Sequence, residues 1–89
     1  MKAVITVVGK DTVGILATVS SKCANYNANI VDVSQTILQD MFCMIMICDV
    51  ENLSVPFAEF GDEIKNVGKE RNLVVNVMHE DIFNSMHRI

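Results

Sequence analysis

The sequence predicts an α+β fold: a four-stranded antiparallel sheet with two helices packed on one face. Three observations predict it. The apolar pattern switches between a period of two and a period near 3.6 in the order β-α-β-β-α-β. Gly, Asn and Asp punctuate those switches. A length of 89 residues, 51% of them apolar, suits one small folded domain and no second one.

Residues 2 to 8, KAVITVV, are short and rich in β-branched side chains and stop at Gly9, which makes them a strand. Asp11 or Thr12 is then placed to cap a helix starting near Val13, and Leu16, Val19, Cys23 and Tyr26 recur at helical spacing. Asn25 and Asn27 suit its end, because Asn tolerates the left-handed conformation that closes helices. Residues 29 to 38, NIVDVSQTIL, alternate, with Val31, Val33 and Ile37 expected on a buried face and Asp32, Ser34 and Thr36 on a polar one. Gln39-Asp40 is the expected hairpin turn. The run MFCMIMICDV, residues 41 to 50, is apolar almost throughout, which predicts a central strand covered on both faces.

Ser54 or Asn52 is expected to cap a second helix with Pro56 in its first turn. Phe57, Phe60, Ile64 and Val67 form its apolar stripe, and Glu59, Asp62, Glu63, Lys65 and Lys69 its wet side. Asn72 ends it, and LVVNVMH, residues 73 to 79, supplies the fourth strand. Residues 1–79 form the domain in this reading. Residues 80–89 form a tail in which Ile82, Met86 and Ile89 share one side of a short helix, and that side, with Phe83, is expected to pack on the domain or on a partner.

This element order is the ferredoxin-like, split βαβ arrangement. Two helices cover one sheet face only. The other face, carrying part of the apolar third strand, is a candidate partner surface, since large exposed apolar areas are uncommon on monomers.

Composition narrows the function. No apolar run approaches a membrane span, and the start MKAVITVVGKD lacks a signal-peptide pattern, so a cytoplasmic location is expected. Three cysteines, without CxxC spacing, fit buried thiols in a reducing compartment, and Cys43 and Cys48 should point to opposite sheet faces. A formal charge of −4 disfavours direct binding to nucleic acid or to an anionic membrane.

The loop after the first strand, GKDTVG, is half a P-loop by spelling, yet Ile15 and Leu16 stand where Lys and Ser/Thr must follow. Residues 9 to 21 hold no Arg for a phosphate and no Cys for copper, and the strands lack paired aromatics for stacking RNA bases. His79 and His87 have no nucleophile at a suitable spacing, and His79, Glu80 and Asp81 diverge because they are consecutive. No catalytic set, metal site or cofactor is therefore expected. Binding remains. A helix N-terminus favours a carboxylate, and Gly14, without a Cβ, allows close approach or serves helix-on-sheet packing.

The stretch VVGKDTVGILATVSSKCANYNANIVDVSQTI resembles the opening of an ACT domain, the small amino-acid-sensing regulatory module, in its stand-alone form and in forms similar to the glycine-cleavage-system repressor. The Asp11-x-x-Gly14-Ile15 turn and the Asn29-Ile30 strand opening carry the likeness, which spans about residues 3 to 78. In that family a Pro commonly precedes the Gly; Val13 stands here. Members that hold an amino acid often have Asn where this chain has Asp11, which when ionised only accepts hydrogen bonds and attracts an ammonium group.

The resemblance implies that Asp11, Val13, Gly14 and Ile15 form one wall of a ligand site, with Asn29 hydrogen-bonding the ligand across a dimer interface. It also implies a homodimer joined by second strands or helical faces. The function it implies is binding of an amino acid or similar metabolite, with occupancy signalled to a regulated enzyme or regulator. A ligand-free dimerisation or adaptor module is the alternative.

Overall fold

The computed structural model describes residues 1–10 and 13–86. The elements run β1 (Lys2–Gly9), α1 (Ile15–Asn25), β2 (Asn29–Leu38), β3 (Met41–Asp49), α2 (Phe57–Arg71), β4 (Val74–His79) and α3 (Glu80–Met86). The strands form one antiparallel sheet in the order β2-β3-β1-β4, the predicted ferredoxin-like topology. The most apolar strands, β1 and β3, are central, and β2 and β4 are the edges.

Register sorts the two faces. Ala3, Ile5 and Val7 pair with Cys48, Met46 and Met44, and all six are buried beneath α1 and α2. Ile15, Val19 and Cys23 come down from α1, and Phe60, Ile64 and Val67 from α2. Phe60 is the largest fully buried side chain and meets Tyr26 edge to face at 6.3 Å. Burying such a ring contributes about 2–3 kcal/mol. Gly68 is where α2 touches the sheet: a Cβ there would lie 2.5 Å from a Val75 methyl and 2.8 Å from the Leu73 carbonyl.

Both helix starts differ from expectation. α1 begins at Ile15, and Gly14 is its N-cap with φ 68° and ψ 12°, left-handed values that a helical first turn cannot contain. α2 begins at Phe57 with Pro56 as N-cap, so Ser54 and Asn52 lie too early to cap it. A residue before proline is disfavoured in the α region, so Val55 is a poor first helical residue. Both helix ends match: Asn27 and Asn72 adopt φ 64° and φ 56°.

The expected faces of β2 are corrected by a bulge. Ile30 pairs with Cys48 and Asp32 with Ile47, leaving Val31 unmatched. The extra residue inverts the alternation, so Ile30, Val33 and Ile37 share the helix-side face and Val31 is half exposed. No β2 residue is fully buried, because α1 reaches only the strand's inner part.

β3 is likewise covered on one face only. Phe42, Met44, Met46 and Cys48 are buried, while Ile45 on the open face is 42% exposed. Cys43 and Cys48 do face opposite ways, as expected. On that open face Val4 is nonetheless buried, and α3 packs against both β1 and β4. The tail expectation holds in part: α3 forms and Phe83 is half buried, but Ile82 and Met86 are exposed, and Ile89 lies outside the described residues.

Candidate functional site

The connection from β1 to α1 turns on Gly14. Its carbonyl accepts from the Thr18 amide at 2.9 Å and from the Thr18 hydroxyl at 2.9 Å, which locks the first helical turn to the cap. Among the described residues beyond its chain neighbours, no atom lies within 4 Å of where a Gly14 Cβ would sit. Among the described residues it makes no helix-on-sheet contact, unlike Gly68, whose missing Cβ lets α2 lie against Val75. Among the described residues no side chain caps the helix; Asp11 and Thr12, the expected caps, lie outside them.

Around it, Val13 is 78% exposed and Ile15 is buried in the core, where it anchors the turn. Asp11 lies outside the described residues. The outer support comes from Arg71, the last residue of α2. Its guanidinium donates to the Val13 carbonyl and, at 3.4 Å, to the Thr18 hydroxyl. A cation at a helix C-terminus also complements the helix dipole. Nothing in the sequence pattern marks Arg71, because only the fold brings it beside a loop nearly sixty positions earlier.

Asn29 is exposed and lies far away. It opens β2 opposite Asp49, which pairs with Lys2, whereas Gly9 at the Gly14 end pairs with Phe42 and so stands in line with Ile37. Lys2 and Gly9 are seven steps apart along β1, about 23 Å at the usual rise, so the two ends lie well apart. One chain does not bring Gly14 and Asn29 together.

Two other features lie near chemistry-bearing residues. A cavity of about 640 Å³ opens where β1 ends and β4 begins, with Val8, Met41 and Val74 as apolar walls and Lys10, Arg71 and Asn72 as polar ones. At the opposite end, His79 Nδ1 accepts from the Asp81 amide at 3.1 Å. Among the described residues no three His, Cys, Asp or Glu side chains converge as a metal site would require. No helix among them is long and apolar enough to cross a membrane.

Comparison with known proteins extends this geometry. The ACT domain family matches residues 2–78. A UPF0237 protein of Listeria innocua is 47% identical over 89 residues, all of both chains. The solved ACT domain protein from Streptococcus pneumoniae superposes with a TM-score of 0.80 at 40% identity, covering 93% of each chain. The regulatory subunit of aspartate kinase from Thermus thermophilus shares the fold alone, with a TM-score of 0.65 at 18% identity over 85% of this chain and 49% of that one. On the strength of the family match and the shared topology, this chain belongs to the ACT domain family.

Proposed function

We propose that the protein is a regulatory module that binds an amino acid or similar small metabolite between two copies of itself and passes its state of occupancy to another protein. The single observation that carries this reading is the separation of Gly14 from Asn29 along the sheet. β2 is an edge strand, and an antiparallel two-fold pairing of two such edges sets the start of one β2 beside the end of the other. α1 packs on the β2 side of the sheet, so the partner's Asn29 would arrive at the Gly14 end. The two halves of the site are then complementary across the interface. Among the described residues nothing fills the space beside Gly14 and no side chain caps the helix start, which suits a carboxylate there.

Membership of a regulatory family supports the same reading, as does the fold shared with an aspartate kinase regulatory subunit. Isothermal calorimetry with the twenty amino acids, run beside native mass measurement, tests it. Saturable heat with at least one of them from a dimer is the expected result. A folded dimer that gives no heat leaves the adaptor reading in its place.

A further inference from the structure

Two of the three thiols meet in the core. Cys23 lies in the last turn of α1 and Cys48 near the end of β3, with their Sγ atoms 3.9 Å apart and both residues fully buried. Cys43 points to the opposite face of the sheet and cannot compete for either within one chain. A disulfide needs its sulfurs at about 2.05 Å, so a gap of about 1.9 Å separates this contact from a bond. Cys48 is held between Ala3 on β1 and Ile30 on β2, so the closing motion belongs to Cys23 and the helix end that carries it.

The two thiols are not equivalent. With Cys48 as donor, its S–H steadies negative charge on the Cys23 sulfur and holds that thiol below its ordinary range, while Cys48 itself is held above. The nucleophilic form of a cysteine is the thiolate, and a sulfenic acid formed on it condenses with a neighbouring thiol to a disulfide. Cys23 is placed for the first role and Cys48 for the second.

We propose that Cys23 and Cys48 are a redox-sensitive pair that hydrogen peroxide converts into a disulfide tying α1 to β3. The Cys23 sulfur attacks one peroxide oxygen, the O–O bond breaks, and the second oxygen leaves as water with the Cys23 proton. The Cys48 sulfur then attacks the Cys23 sulfenic acid, the S–O bond breaks, and the hydroxyl leaves as a second water with the Cys48 proton. Two S–H bonds are lost and one S–S bond is formed, and the peroxide takes up the two electrons. The bridge closes a ring that contains the whole of β2. Ile30 is the cross-strand partner of Cys48 and Asn29 precedes it, so the oxidised form pins the strand start that carries Asn29.

Peroxide treatment of the whole chain carrying Cys43→Ala tests this. The product should be lighter by two hydrogens and yield a Cys23–Cys48 linked peptide on non-reducing digestion. It should melt several degrees higher than the reduced form, since a link across 25 positions restricts the unfolded chain. The amides of Asn29 and Ile30 should shift on oxidation, and dithiothreitol should reverse every change. The native sequence treated in the same way should give the same linked peptide, which keeps the test decisive if Cys43→Ala folds poorly. No mass change in millimolar peroxide, sulfinic acid at either residue in place of the bridge, a bridge to Cys43, a lower melting temperature, or unmoved Asn29 and Ile30 amides would each overturn the proposal. Failure to bind any amino acid leaves this test unaffected.

Discussion

The Sγ atoms of Cys23 on α1 and Cys48 on β3 lie 3.9 Å apart in the core, and neither residue is exposed. The shared hydrogen bond and burial push the Cys48 thiol far above its ordinary range, so it stays protonated in the fold at any ordinary pH. In the unfolded chain it ionises near pH 9. Above that pH the unfolded state binds fewer protons than the folded one, so stability falls as pH rises, at up to about 1.4 kcal/mol per pH unit for this group. Denaturant midpoints measured from pH 8 to 10.5 should drop more steeply for the native sequence than for Cys48→Ala. Below pH 8 this thiol contributes no slope.

Thiol chemistry offers a second reading of the same core. Cys43 lies on the open sheet face and is half buried, whereas Cys23 and Cys48 are sealed. Ellman's reagent should label one thiol in the native protein and three in denaturant. Fast labelling of all three without denaturant would contradict the packing of α1 on β3.

Two glycines should answer differently to alanine. Gly14→Ala meets no neighbour among the described residues but forces a Cβ into a left-handed residue, at a cost of about 1 kcal/mol. Gly68→Ala drives a Cβ into Val75 and into backbone at Leu73, where overpacking costs about 1–3 kcal/mol. Thermal melts should rank Gly68→Ala as the less stable. Calorimetry should show that only Gly14→Ala weakens amino-acid binding beyond its effect on folding.

The exposed edge gives a test of assembly. Ile37 and Leu38 on β2 are 65% and 66% exposed, so Ile37→Lys should change the stability of a single chain by less than about 0.5 kcal/mol. If β2 edges join two copies, the same change should raise the dimer dissociation constant about tenfold, equivalent to about 1.4 kcal/mol. Sedimentation equilibrium reads that constant, and an unaltered value would move the interface elsewhere.

The short helix α3 is also open to test. Val4 is 2% exposed on the sheet face opposite the long helices, and α3 packs on β1 and β4. A chain ending at Glu80 should therefore melt several degrees lower, as expected for uncovering about one apolar side chain in a domain of this size.

Strand and helix identities were legible because the period of the apolar residues changes cleanly, and Asn27 and Asn72 marked the helix ends through their tolerance of positive φ. The helix starts were less so. Ser54 looked like a cap on local chemistry, yet Pro56 overruled it by constraining Val55, and Gly14 displaced the expected cap by adopting a left-handed turn. The β2 bulge left no trace in composition, since one unmatched residue reverses a face without altering any letter. Gly14 stood out by spelling alone. Its support by Arg71 is a product of topology, which no local pattern encodes.

The strand order has a consequence for how the chain acquires its shape. β1 is made first, yet it lies between β3 and β4, and its second neighbour follows only after α2. Its pairing with β4 joins residues about seventy positions apart, a large loop to close before the contact is rewarded. On the ribosome the most apolar part of the sheet therefore waits with an open edge until β4 emerges. Folding is expected to be slow for a domain of this size, and β1 is the segment most in need of shielding during that wait.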